Sequence, residues 1–320
     1  MGTPLLSPGN GESDQYQSGS GAVLGGRIET AADRFGSGRH AGAVTAPDRS
    51  PPARLAPVWG AQPLSASLRG SIRRVDTGGE KLVALTFDLC ELSDQKTGYD
   101  GEIVDALRRL DASATFFAGG KWMRSHPERA MQLMAAPLFE VGSHAWTHGN
   151  FGVLDENSMR EQILWTQAQY ELLREELDRR GAVAAAPATI AVFRFPYGRC
   201  RPEALALLAQ AGIIAIQWDV NTMDAAASQT APKILQLVER AVKPGSIILM
   251  HANGFGVHTA EAVELIVPAL RARGYRLVTV SQLLAAGKPV GADECFDSRP
   301  GDTTIYDRQF GDGTVHARNR

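Results

Sequence analysis

The chain has 320 residues, 44% of them apolar, with 33 basic against 35 acidic side chains and a formal net charge of −2. That length and apolar content suffice for one large core, and the near-neutral balance offers no basic field for nucleic acid. No stretch reaches the roughly 18 consecutive apolar residues that a membrane-spanning helix needs, and the opening residues lack the basic start and apolar run of a secretory signal, which favours the cytoplasm over export.

Residues 1–75 are rich in Gly, Ser, Pro and Ala, including Pro51-Pro52, and read as a leader without regular structure. The texture changes at Leu82–Phe87, an apolar run with β-branched and aromatic residues that predicts a buried strand, and Asp88-Leu89-Cys90-Glu91 follows at its end. Ile103, Val104, Leu107 and Leu110 share one helical face, and Ala114–Ala118 is the next strand. Pro127 opens a helix through Met134, after which Leu138–Gly142 is a strand delivering Ser143-His144-Ala145-Trp146-Thr147-His148.

Asp155 is placed to cap a long helix through Leu177. An Ala-rich loop at 182–188 leads to the strand Thr189–Phe193, followed by Arg194-Phe195-Pro196-Tyr197-Gly198. A helix from Pro202 precedes a strand over Ile213–Val220, near Asp219, Asn221 and Asp224. A helix over Ile234–Val242 precedes the strand Ser246–Met250, which ends at His251. The last pair is a helix over His258–Arg273 and a strand over Tyr275–Val280. Continuous apolar strands alternating with amphipathic helices predict an α/β fold, a parallel sheet covered by helices and curled into a barrel over residues 76–288. Residues 289–320 read as a polar tail. Three cysteines are too few for a disulfide framework and leave one thiol unpaired; the spacing does not argue for a Cys200–Cys295 bridge.

In such a barrel the C-terminal strand ends share one rim, where Asp88, His144, Arg194, Asp219 and His251 would meet. On one turn of helix-like backbone, imidazoles four residues apart would face the same side, so that His144 and His148 can grip a divalent cation. Asp219 is also placed to assist Arg194. Trp146 and Trp218 read as packing, with stacking on a ligand ring as the alternative, whereas Trp122, Trp165 and Met250 read as core. His126 and His258 sit at helix starts with no role assigned.

Five motifs in order carry a resemblance: Thr86-Phe87-Asp88, Ser143-His144 to His148, Arg194 to Gly198, Trp218 to Asp224, and Leu249-Met250-His251. Over about 82–284 the chain resembles the polysaccharide deacetylase (NodB homology) superfamily, carbohydrate esterase family 4. The resemblance implies a distorted barrel of seven or eight βα units and metal-assisted removal of N-acetyl groups from a GlcNAc-containing glycan. It implies Asp88 as general base, paired with Arg194, and His144 and His148 as metal ligands. It further implies the Tyr197 amide as oxyanion donor and His251 as general acid, oriented by Asp224. Zinc is the first choice of metal, with cobalt or another first-row ion behind it.

One position departs from the family. Where the pattern has a second Asp as third metal ligand, this chain has Leu89; the expectations are Glu91 as third ligand, with the Cys90 thiolate as the zinc-favouring alternative, a metal held weakly by the two histidines and water, or a metal that is lost. Asn221 also stands where the family often has Asp. The primary expectation is a deacetylase acting on an acetylated glycan; the competing ones are an amidohydrolase of a small non-sugar amide and a glycan-binding relative without catalysis.

Overall fold

The structure, a computed structural model, describes residues 43–58, 60, 62–181 and 186–315. Most of the expected leader, part of the Ala-rich loop and the last five residues therefore lie outside the described residues.

The first strands are β1 (Ala43–Val44), β2 (Ser71–Asp76), β3 (Leu82–Leu89) and β4 (Gln95–Lys96). All eight residues of β3 are buried, as expected of a strand covered on both faces. Helix α1 (Gly101–Arg109) buries Ile103, Val104 and Leu107 on one stripe and leads to β5 (Ala114–Ala118). Two short helices follow, α2 (Gly120–Ser125) and α3 (Pro127–Ala135), and then β6 (Phe139–Ser143). Helix α4 (Glu156–Arg179) begins where the Asp155 carboxylate accepts the Ser158 N–H at 2.7 Å, satisfying one of the free amides of the first turn.

The remaining elements are β7 (Val192–Phe193), α5 (Pro202–Gln210), β8 (Ile214–Ala215), β9 (Val220–Asn221), α6 (Ala231–Ala241), β10 (Ser246–His251), α7 (Thr259–Ala272), β11 (Arg276–Leu277), α8 (Val280–Ala285), β12 (Lys288–Ala292) and α9 (Ile305–Phe310). Each strand and helix expected from the alternation is present. The run over 213–220 is broken into β8 and β9, and that over 275–280 gives two strand residues before the capping box of Thr279 and Gln282 starts α8.

The main sheet has the order β12-β2-β10-β3-β5-β6-β7-β8, with β9 on β10 and β11 on β3. From β10 through β8 the pairs are parallel. A bridge between Ile72 and Ile216 joins the far end back to β2, so the sheet curls into a distorted α/β barrel. The largest core cluster runs from Phe87 and Phe116 to α1, α4 and α7, and a smaller one fills the inside with Ile72, Phe117, Ile216 and Trp218.

The fold extends past both expected domain edges. Strand β2, assigned to the leader, pairs antiparallel with β10 and β12, and β12 crosses the boundary drawn at 288. Neither has a readable pattern: β2 carries Arg73 and Arg74 between its buried Ile72 and Val75, and β12 is a half-exposed edge with Pro289 and Gly291. The expected tail also holds α9 and a disulfide from Cys295 to Cys200, which the spacing gave no reason to expect.

The turn before β10 is built around Gly245. It has φ +81°, and a Cβ there would lie 1.6 Å from the Val75 carbonyl oxygen. Its carbonyl accepts the Val75 N–H at 3.0 Å, which locks β2 onto the barrel. Gly245→Ala is expected to destabilise the fold by about 2–3 kcal/mol in urea unfolding; an unchanged midpoint would contradict this account of the β2 contact.

Candidate active site

Asp88 lies near the end of β3, and the parallel register sets His251, the last residue of β10, directly beside it. Ser143, ending β6, pairs with Phe193, ending β7, so the next residues, His144 and Arg194, emerge together. The Arg194 N–H donates to the Ser143 carbonyl at 2.8 Å. Arg194 is fully buried. Its Nη1 donates to Asp88 Oδ1 at 2.9 Å, its Nη2 to the Gln217 carbonyl at 3.3 Å, and the guanidinium lies 4.1 Å from the Phe117 ring centre. Burial lowers the guanidinium pKa, and Asp88 counters that shift.

His144 Nδ1 lies 2.9 Å from the Arg194 carbonyl oxygen, which has no proton to give, so Nδ1 is the donor. Nε2 therefore presents its lone pair to the site, 3.6 Å from Asp88 Oδ2. The His148 ring sits 4.9 Å from that of His144. A loop rather than a helical turn brings the rings together: Ala145 and His148 both adopt left-handed backbone, at φ 65° and 59°. Gln162 of α4 clamps this loop, accepting from Thr147 N and Gly149 N at 2.9 and 3.3 Å and donating to Thr147 Oγ1 at 2.8 Å. Gln162 was not found from sequence, because it lies in an unremarkable helix.

Burial lowers the pKa of both rings, well below the ordinary value for His148, where the neighbouring His144 adds to the effect. Both are thereby neutral at neutral pH, the state a metal requires. His148 Nδ1 is buried without a hydrogen-bond partner among the described residues. A third donor stands beside them: Cys90 Sγ and one nitrogen from each ring all lie within 4.8 Å of one another. Asn253 Nδ2 fixes the cysteine, donating to its carbonyl at 2.9 Å and its sulfur at 3.1 Å. One sulfur and two imidazoles beside a carboxylate fit a divalent first-row ion, zinc in particular.

Glu91, expected as third ligand, is turned away. Its Oε1 accepts from Lys121 Nζ and Ser125 Oγ, both at 2.6 Å, and its Oε2 from Thr97 N at 3.0 Å. A fully buried carboxylate must be satisfied locally, and the Lys121 ammonium does that here. Leu89, on the opposite face of β3 from Asp88, packs into the main core. Asp219 does not support Arg194 either: it accepts from Ile247 N at 2.9 Å and Ser246 Oγ at 3.0 Å, bracing the start of β10.

Across the site, His251 Nδ1 lies 2.8 Å from Asp224 Oδ1. The other Asp224 oxygen accepts the His251 backbone N–H and Thr259 Oγ1, each at 2.8 Å. Burial works to lower the His251 pKa, but Asp224, with help from Asp88, outweighs it and the net shift is upward. Tyr197 occupies left-handed backbone at φ 61°, with its ring edge-on to His148 at 4.5 Å.

Asp88, Cys90, His144, His148, Tyr197 and His251 line a cavity of ≈ 360 Å³. Trp218 borders it and Trp146 does not; the latter packs edge-on against Trp165. Trp122 and Met250 are core as expected, Trp165 is half-buried, and His126 and His258 stand at helix starts. A larger groove of ≈ 440 Å³, between Arg69 and Gln210, lacks a comparable convergence of ionisable groups.

A sequence model of the polysaccharide deacetylase family matches residues 76–216. A chitooligosaccharide deacetylase of Sinorhizobium fredii is 28% identical, the match covering 66% of this chain and 95% of the relative. A peptidoglycan-N-acetylglucosamine deacetylase of Bacillus cereus is 29% identical over 64% of this chain and 69% of its own. Among solved structures, a carbohydrate esterase family 4 pseudoenzyme from Bacillus anthracis superimposes with a TM-score of 0.57 at 28% identity, covering 69% of this chain and 70% of that one. The peptidoglycan N-acetylglucosamine deacetylase Bc1960 gives 0.58 at 25%, over 68% and 94%.

The raised His251 pKa makes its imidazolium persist to higher pH than an ordinary histidine. The stabilisation from the pair with Asp224 is full below the unfolded-state value and is lost as pH rises through the folded one. Asp224→Asn removes the partner charge, so an NMR titration of His251 in the metal-free protein is expected to show a lower pKa than in wild type. An unchanged titration would contradict the role given to Asp224.

Proposed function

Because the chain belongs to the polysaccharide deacetylase (NodB homology) superfamily, we propose that it hydrolyses the N-acetyl group of a GlcNAc-containing oligo- or polysaccharide. The observation that carries this reading is the pairing of Asp88 and His251 on adjacent strands, one held by Arg194 and the other by Asp224. A carboxylate fixed by a guanidinium is positioned to act as a base, and an imidazole whose pKa a neighbouring carboxylate raises is suited to act as an acid.

The hydrolysis adds water across the amide C–N bond. Asp88 takes a proton from the water as its oxygen attacks the acetyl carbon. The Tyr197 N–H donates to the carbonyl oxygen as negative charge develops there. His251, as imidazolium with Nδ1–H held by Asp224, gives its Nε2 proton to the departing nitrogen, releasing acetate and a free amino sugar. Arg194 holds Asp88 in place. A divalent ion, zinc first, held by Cys90, His144 and His148, would polarise the carbonyl and acidify the attacking water. Cys90 in this role takes over from Leu89, whose side chain offers no donor.

Leu89 also favours a second reading, a glycan-binding protein without catalysis, and a pseudoenzyme stands among the structural relatives. The deacetylase reading is preferred because a binder needs neither the Asp88–Arg194 nor the His251–Asp224 pair. The Cys200–Cys295 bridge supports action in an oxidising compartment rather than the cytoplasm expected from the sequence.

The test is acetate release from N-acetylated chitooligosaccharides by metal-stripped protein, with and without zinc or cobalt. Metal-dependent release is expected, and Asp88→Asn should lower kcat by at least about 10²-fold. Folded protein that binds the sugars but releases no acetate with any metal would contradict the reading in favour of the binder.

A further inference from the structure

The segment after β12 does not trail into solvent. Cys295 is bonded to Cys200, and the chain then runs along the catalytic cavity through α9 to Thr314. Asp307 is gripped by Arg199, at 3.0 Å from Nε and 2.7 Å from Nη2, and accepts from Asn150 Nδ2 at 3.1 Å. Further on, the Gly313 carbonyl accepts from Tyr197 Oη at 2.9 Å, and the Thr314 carbonyl accepts from Ser93 N at 2.7 Å. A Cβ at Gly313 would come within 2.6 Å of the Tyr197 ring. The strap is thus fixed at its start, middle and end to loops that carry catalytic residues.

Three of its side chains line the cavity: Asp297, Tyr306 and Phe310. Phe310 stacks on Tyr197 with ring centres 4.8 Å apart, and the Tyr197 ring also meets His148 edge-on. It therefore buttresses the residue whose amide the proposed mechanism uses as oxyanion donor. Tyr306 is different. It is half-buried, leans on Phe310 at 5.5 Å, and is 6.2 Å from Tyr197, tilted to both and without a stacked partner among the described residues. Asp297 Oδ1 accepts from Trp218 Nε1 at 2.7 Å and from Asn221 Nδ2 at 2.9 Å, whereas among the described residues Oδ2 has a single long contact, with Ser298 Oγ at 3.3 Å. An aromatic face and a carboxylate oxygen with spare acceptor capacity, bordering one cavity, match the two sides of a pyranose: a C–H face and a rim of hydroxyls.

We propose that the strap is a sugar-binding wall of this site, with Tyr306 stacking on a substrate ring and Asp297 accepting from its hydroxyls, so that these two residues set substrate affinity. The proposal rests on the deacetylase reading for its substrate class, but its own claim concerns binding. A sugar seated here is held by residues that take no part in the proton transfers, so their loss should appear in KM and leave kcat nearly alone.

The experiment is calorimetric titration of the metal-free full chain with chitotetraose, alongside kcat and KM for acetate release by the zinc form, for wild type, Tyr306→Ala, Tyr306→Phe and Asp297→Asn. Tyr306→Ala is expected to weaken binding and raise KM about tenfold, with kcat within about twofold, and Tyr306→Phe to restore both. Asp297→Asn should weaken binding about three- to tenfold. Folded variants with wild-type Kd and KM would overturn the wall. Wild type that binds, is weakened by these variants and yet releases no acetate would overturn the deacetylase reading and uphold the wall; wild type that neither binds nor cleaves would overturn both.

Discussion

The site depends on one buried ion pair. Arg194 has no access to solvent, and the Asp88 carboxylate is the only charge among its described hydrogen-bond partners. Removing either partner would leave an uncompensated charge in the barrel interior, at a cost of about 3–5 kcal/mol. The pair also links strands distant in sequence, β3 and β7, and its backbone carbonyl fixes the tautomer of His144. One arginine thereby pairs with Asp88, orients His144 and holds the rim together. The same economy appears opposite, where Asp224 binds the ring and backbone of His251 and the start of α7 through Thr259.

Much of this was legible in the sequence because parallel barrels convert order into position. Apolar runs such as Leu82–Phe87 and Ser246–Met250 identify strands buried on both faces, and the residue after each run then falls on the shared rim. Asp88, His144, Arg194 and His251 were found in that way, and the structure brings them together. What failed had weaker local signals. The edge strands β2 and β12 contain charges, Pro and Gly, and the elements of the C-terminal strap are too short for periodicity to register. Asp219 occupies the expected strand end but serves the backbone of β10, since register decides which side chains on a rim converge.

The choice between Cys90 and Glu91 shows where chain order stops being informative. The two are adjacent, and both side chains can ligate metal. Burial separates them: Glu91 carries a charge that the interior must neutralise and is taken by Lys121, while Cys90, a small apolar side chain when protonated, faces the histidines at no such cost. The disulfide partners likewise lie 95 residues apart, and only the fold makes them neighbours.

The central claim is that Cys90 stands in for the carboxylate ligand missing at position 89, beside the Asp88–Arg194 and His251–Asp224 pairs. Zinc-edge X-ray absorption of the zinc-loaded protein tests it most directly, since sulfur and light-atom neighbours differ in distance and scattering. The account predicts one sulfur at about 2.3 Å with the remaining neighbours nitrogen or oxygen at about 2.0–2.1 Å, and loss of the sulfur shell in Cys90→Ser. A shell of light atoms alone in the wild-type protein would contradict it.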